Sequence, residues 1–172
     1  SPASLTFEIA DVPALARACR ERGVISVLDN TWAAGLAFRP LDHGVDVSLQ
    51  ALTKYASGHS DVLMGSVVVR DQTLASALAG VIEDMGWHVS PDDAWLALRG
   101  LRTLPLRYSE QARSALRVAE WLQSRPEVSR VLYPPLPGAV GHDLWRRDFT
   151  GAASLMGVVM RGGDAAAGRR LL

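Results

Sequence analysis

The 172 residues are 48% hydrophobic and carry 18 Lys plus Arg against 18 Asp plus Glu, a formal net charge of zero. This is ample material for a packed core, and it gives no electrostatic basis for binding nucleic acid or an anionic membrane. The lone Cys19 excludes an internal disulfide, no secretory signal is evident, and no apolar run approaches the roughly 20 residues of a membrane helix, so a cytoplasmic location is expected.

Taken in chain order, Asp11 reads as the N-cap of a helix with Leu15, Ala18 and Cys19 on one face and Gly23 as its stop. Cys19, flanked by arginines and with no partner base in view, reads as a packed or bystander thiol. The run Val24-Ile25-Ser26-Val27-Leu28 is rich in β-branched residues and ends in Asp29-Asn30-Thr31. It predicts a buried strand of a parallel sheet with an acid at its carboxyl end, which is where open α/β sheets place ligands. A second run, residues 45–49, leads into Gln50-Ala51-Leu52-Thr53-Lys54-Tyr55. Two neighbouring strand ends would bring Asp29 and Lys54 to one cleft.

Lys54 is the only lysine in the chain; every other Lys-or-Arg position is arginine. Arginine stays protonated, whereas a desolvated lysine can lose its proton and attack a carbonyl. Lys54 with Asp29 suits pyridoxal phosphate, which needs an amine for its aldehyde and a carboxylate to keep its ring nitrogen protonated. Taken by itself, the lysine also has a plainer reading as a solvated surface residue.

Further along, Gly65-Ser66-Val67-Val68-Val69 predicts another buried strand, and Asp71 caps a helix with Leu74, Leu78, Ile82 and Met85 in one apolar stripe, ending at Gly86. The alternation predicts a three-layer α/β domain with a largely parallel sheet. Ser90-Pro91-Asp92-Asp93 starts a long helix that Pro105 should kink or break near Leu104. Beyond it come a helix with Ala112, Leu116, Ala119 and Leu122 on one face, a strand over residues 128–132, the rigid loop Pro134-Pro135-Leu136-Pro137-Gly138, and a strand over 154–160. His43, His88 and His142 have no ligand-like spacing, so no metal is expected. Trp87, Trp95, Trp121 and Trp145 read mostly as core or interface residues, while Trp32 is placed to line the site. The chain opens at Ser1-Pro2-Ala3-Ser4 and closes at Arg170-Leu171-Leu172 within an apparent alanine-rich helix, so a fragment is expected.

Asp29-Asn30-Thr31-Trp32-Ala33-Ala34-Gly35, Gln50-Ala51-Leu52-Thr53-Lys54-Tyr55 and Gly58-His59-Ser60-Asp61 together resemble the cystathionine β-lyase branch of the Cys/Met-metabolism pyridoxal-phosphate family. The likeness continues through Leu98-Arg99-Gly100-Leu101-Arg102-Thr103-Leu104 and through the stretch from Gly141 to Phe149. It implies the fold-type I aminotransferase architecture: α/β, three layers with a mostly parallel sheet, residues 1–105 forming the second half of the cofactor-binding domain and 106–172 the start of a smaller α+β C-terminal domain. It also implies roles. Lys54 holds pyridoxal phosphate and takes the substrate's Cα proton, Asp29 pairs with the ring nitrogen, Thr31 lies beside the ring and Thr53 bonds the phosphate. The plainer readings are an Asp-Asn turn for Asp29 and a local hydroxyl-to-backbone bond for Thr31. Ala51 stands where many relatives carry a phosphate-binding serine, a departure that matches the β-lyase branch, and His59 is expected to bond nearby backbone. The implied activity is β-elimination of cystathionine, or a related thioether amino acid, to homocysteine, pyruvate and ammonia by a homotetramer built as a dimer of dimers. A γ-synthase or γ-lyase would share every residue named, and a non-catalytic binding or regulatory module is the third reading. The substrate-carboxylate arginine and the phosphate ligands of a neighbouring subunit are expected outside the chain.

Overall fold

The computed structural model describes residues 2–162; the alanine-rich helix expected towards Arg170-Leu171-Leu172 lies outside the described residues. Helix α1 (Val12–Glu21) begins where the Asp11 carboxylate accepts the Ala14 N–H, and it ends before Gly23, whose φ is +64°. It buries Val12 and Ala16, while Leu15 is 56% exposed. The expected face is turned because α1 meets the 3-10 turn Pro40–His43 on the side of Ala16 and of Arg20, which donates to Gly44 O.

Strands β1 (Val27–Asp29), β2 (Val47–Ala51) and β3 (Gly65–Val69) form one sheet in that order, with β1 parallel and β3 antiparallel to β2. The strand expected over residues 24–28 is shorter and shifted, and Val24, Ile25 and Val27 are 54%, 57% and 57% exposed. Among the described residues β1 is an edge, so its apolar side chains have a neighbour on one side only. β3 has no buried residue, and it runs as the antiparallel edge that α/β sheets often carry. Helix α2 (Gln72–Asp84) is capped as expected, by Asp71 accepting the Leu74 N–H, yet buries none of its stripe among the described residues.

Pro105 does break the long helix. Helix α3 (Pro91–Leu101), capped by Ser90, stops and α4 (Leu104–Gln123) restarts with Pro105 in its first turn, the helical position where a missing N–H costs nothing. The buried stripe of α4 is Leu104, Tyr108, Ala115 and Ala119 instead of the expected Leu116, because β4 (Val128–Leu132) packs against the alanine side. β4 has its expected bounds and pairs antiparallel with β5 (Gly157–Met160). Between them lie α5 (His142–Asp148), which the sequence reading did not anticipate, and an irregular strap over residues 149–156 that displaces the start of the last strand.

One buried cluster runs through both sides of the break near residue 105. It joins Trp32, Ala33 and Phe38 to Tyr108, Tyr133, Leu136 and Phe149. Phe38 stacks on Phe149 at 4.5 Å and on His43 at 4.6 Å, and Trp32 meets Phe149 edge-on at 6.1 Å. Aromatic pairs of this kind add about 0.5–1.5 kcal/mol beyond their buried area.

Gly100, inside α3, touches the turn that follows β2. A Cβ there would stand 2.2 Å from Ser57 O and 2.5 Å from Ala56 O, both main chain. Helix propensity alone would make Gly100→Ala stabilising by about 1 kcal/mol. The collision costs about 1–3 kcal/mol and decides the sign. Gly100→Ala in the full-length protein is expected to lower the melting temperature, and an unchanged or higher value would show that α3 does not press on this turn.

Candidate functional site

The site begins where β1 ends. Pairing Val27↔Val47, Leu28↔Ser48 and Asp29↔Leu49 continues past the strand, with Asn30 N–H donating to Leu49 O at 2.7 Å. Asn30 is buried and its amide donates to Phe38 O at 2.9 Å, closing the tight turns of residues 31–38, where Ala34 and Gly35 take positive φ. The Asp29 Oδ1 accepts the Thr31 N–H at 2.8 Å, which is the local turn foreseen as the plainer reading; it also aims the carboxylate. Thr31 Oγ1 accepts the Ala51 N–H at 2.8 Å, tying the end of β1 to the end of β2 and keeping the hydroxyl's own hydrogen to donate.

β2 then runs into a turn that carries Lys54. Lys54 N–H donates to Ala51 O, Ser57 N–H to Leu52 O, Ser57 Oγ to Thr53 O and Gly58 N–H to Lys54 O. Thr53 Oγ1 accepts the Met64 N–H at 3.0 Å and donates to Met64 O at 3.3 Å, so its hydroxyl is engaged with the strand-leading main chain. His59 Nδ1 lies 2.5 Å from Ser57 O, the backbone partner expected for it.

Asp29, Thr31, Trp32, Thr53, Lys54 and Tyr55 line one cleft of about 1230 Å³, so all four residues expected at the site share it. Its far wall is the strap, held by aromatic donors: Trp145 Nε1 to Gly151 O, Tyr133 hydroxyl to Ala153 O, Trp32 Nε1 to Leu155 O. Tyr55 completes the set, its hydroxyl 3.1 Å from Ser154 Oγ and accepting the Ser154 N–H. Tyr108, under Tyr55 and donating to Trp32 O, is held protonated well above the usual phenol range by burial first and then by the neighbouring phenols Tyr55 and Tyr133. Burial does the same for Tyr133. Two further lining residues were missed by the sequence reading. Arg107 reaches the lysine turn, and Gln111 presents a buried Oε1 without a partner among the described residues. Helical spacing marks both, four residues apart on α4, yet gives no sign that the face turns to a cleft.

The donor set fits pyridoxal phosphate. An amine, a fixed carboxylate and a hydroxyl with a hydrogen to give share one roomy cleft, and apolar Trp32 and Tyr55 stand beside them. Thr53 is the exception, since it serves a phosphate only by turning from Met64 O. No helix among the described residues is long and apolar enough to cross a membrane, and no cluster there has the ligands for a metal.

The profile of the family described as Cys/Met metabolism PLP-dependent enzyme matches residues 1–171. The chain is 48% identical over 158 residues to the cystathionine beta-lyase of Bordetella avium, covering 92% of this chain and 40% of that protein. It is 45% identical over 163 residues to cystathionine beta-lyase MetC of Escherichia coli K12, covering 94% and 41%. The crystal structure of cystathionine gamma synthase from Xanthomonas oryzae pv. oryzae, in complex with aminoacrylate and cysteine, superposes with a TM-score of 0.93 at 37% identity over 96% of this chain and 43% of that one. The chain thus spans about 40% of the length of the curated relatives it matches. That architecture is the pyridoxal-phosphate-dependent fold-type I one.

Thr31→Val removes the acceptor for the Ala51 N–H and is expected to destabilise the full-length protein by about 1–3 kcal/mol, whereas Thr31→Ser keeps the acceptor and most of the stability. Equal denaturant midpoints for the two variants would show that the bond does not tie the strands.

Proposed function

The chain belongs to the Cys/Met metabolism PLP-dependent enzyme family, and from that premise we propose that it is part of a cytoplasmic carbon–sulfur lyase that cleaves cystathionine by β-elimination to homocysteine, pyruvate and ammonia. The observation that carries the reading is the shared cleft, in which the sole lysine of the chain and the fixed carboxylate of Asp29 come together. The identities of 48% and 45% to proteins named cystathionine beta-lyase support the β assignment. A γ-synthase or γ-lyase is the second reading, supported by the likeness to the Xanthomonas protein. A non-catalytic module would leave the amine, acid and hydroxyl set without a purpose.

In this reading Lys54 carries pyridoxal phosphate and its Nζ takes the substrate's Cα proton, one group serving as covalent anchor and general base. When bound, the cofactor supplies an electron sink for the charge left at Cα. Asp29 offers the carboxylate that keeps a ring nitrogen protonated, and the Thr31 N–H holds it in orientation. The Thr31 hydroxyl, braced by the Ala51 N–H, would have its hydrogen to give to the cofactor. To hold the phosphate, the Thr53 hydroxyl would turn from Met64 O, giving up a long 3.3 Å bond for a charge-assisted one. The strap and Trp32 form one wall of the cleft. We place the domain boundary at the break between α3 and α4, with residues 1–105 in the cofactor domain and 106–172 beginning the small one, and the whole enzyme as a homotetramer, a dimer of dimers that takes a small amino-acid substrate without nucleic acid or membrane.

Product analysis of the full-length enzyme on cystathionine tests the reaction: pyruvate is expected, and 2-oxobutyrate would overturn β-elimination in favour of γ chemistry. Lys54→Arg keeps the charge and removes the usable amine, so turnover should fall by about 10²–10⁴-fold or more. Appreciable activity in that variant would put the lysine outside the site. Asp29→Asn should still take up cofactor while elimination slows greatly, and an unchanged rate would remove Asp29 from the mechanism.

A further inference from the structure

The turn carrying Lys54 satisfies its own early carbonyls. Those of Ala51, Leu52, Thr53 and Lys54 all accept hydrogens from inside the turn. The next two, Tyr55 O and Ala56 O, point out of it, and Ala56 and Ser57 are fully buried, where an unmet carbonyl is costly. Both are met by Arg107, whose Nη1 donates to Tyr55 O at 2.8 Å and Nη2 to Ala56 O at 3.1 Å. The same Nη2 donates to Gly100 O at 2.8 Å, and Nε donates to Thr103 Oγ1 at 3.0 Å. One guanidinium thus joins the lysine turn, the end of α3 and the start of α4. From below, Gly100 packs against Ala56 O and Ser57 O; from the side, the missing Cβ of Gly58, at φ +72°, leaves room for the guanidinium.

We infer that Arg107 is a positioning residue for Lys54: by gripping the two carbonyls immediately after the lysine, it fixes the main chain from which the amine reaches into the cleft. The inference rests on the reading of Lys54 as the cofactor-bearing amine. Arg107 also lines that cleft, but four of its five N–H groups are committed to the protein, so it is not built to clamp a substrate carboxylate. Lysine could not replace it, because a compact ammonium on a flexible stem lacks the planar fork that spans several acceptors at once. The expected effect is large for a group that need not touch substrate, since a displacement of about 1 Å at a reacting atom costs on the order of 10²-fold in rate.

The test uses the full-length enzyme with Arg107→Lys and Arg107→Gln, the milder change guarding against loss of fold. Apoenzyme is given pyridoxal phosphate, the attachment is fixed at intervals with borohydride, and the labelled peptide is mapped by mass. Steady-state kinetics on cystathionine follow. The unsubstituted enzyme should label at Lys54. Both variants should label there at least about tenfold more slowly, with kcat down about 10–100-fold, KM within about threefold and unchanged circular dichroism. Parent-like labelling and turnover would overturn the inference while leaving Lys54 in place. Losses that only track the folded fraction, or failure of both variants to fold, would make Arg107 a plain structural anchor. A KM that rises more than kcat falls would make it a substrate ligand. Labelling of the parent at another lysine would overturn the reading of Lys54, and this inference with it.

Discussion

Everything at the site depends on the register of β1 against β2. It is clamped at both ends by side chains. At the start, Ser26 gives its N–H and its hydroxyl to one Asp46 carboxylate oxygen, at 2.8 Å and 2.6 Å, and Ser26 Oγ accepts the Asp46 N–H. Those bonds hold the Asp46 carboxyl below the usual carboxylate range, the Ser26 hydroxyl foremost. At the far end, Ala51 N–H meets Thr31 Oγ1. A slip of one residue would turn every side chain of a strand to the opposite face, taking Asp29 out of the cleft. With only three residues in β1, the backbone ladder is short, and these two clamps take over part of its work.

The second wall of the cleft is held by a different device. Residues 149–156 have no ladder; the Phe149 and Thr150 N–H groups donate to Trp145 O and Ala37 O, and the carbonyls of Gly151, Ala153 and Leu155 find partners among side chains. Trp32, Tyr133 and Trp145 donate into the strap and Tyr55 bonds Ser154, and all four of these rings also help to fill or flank the core. A ring with a polar tip packs its body against apolar neighbours while its N–H or O–H satisfies a buried carbonyl, so the irregular segment is fixed without being a strand. Because Tyr55 follows Lys54 and Trp32 is three residues past Asp29, two of the four groups that orient the strap are chain neighbours of those proposed to bind the cofactor.

The sequence was most legible where one local signal decides the outcome. Asp11, Asp71 and Ser90 cap their helices, Pro105 separates α3 from α4, and β4 has its expected bounds. Asp29, Thr31, Thr53 and Lys54 can be picked out as candidates because each lies at or just beyond the end of a recognisable apolar run within a family motif, and the fold brings all four to one cleft. Faces were harder to read. Leu15 and Leu116 are apolar at plausible spacings, yet alanines at 16 and 115 are the buried residues, because close helix contacts are set by the neighbouring element and reward small side chains there. The strand expected over residues 154–160 begins only at Gly157, because β-propensity cannot see that distant tryptophan and tyrosine side chains supply the hydrogen bonds of the residues before it.

Two residues around the lysine turn, Gly100 and Arg107, are poor choices for the helices they occupy, and Pro105, at no cost to the first turn of α4, forbids an unbroken helix joining α3 to α4. Gly100 costs α3 about 1 kcal/mol relative to alanine. Arg107 sets a cation at the positive end of α4, whose first turn holds no acid, against a dipole term of about 0.3–1 kcal/mol. Each penalty has a compensating contact in the same small volume. The absent Cβ of Gly100 admits Ser57 O, the break at Pro105 ends α3 just after that contact, and Arg107 then bonds the turn and the end of α3 together. Local rules are broken together where tertiary geometry needs them broken, and here that place is the main chain that carries Lys54.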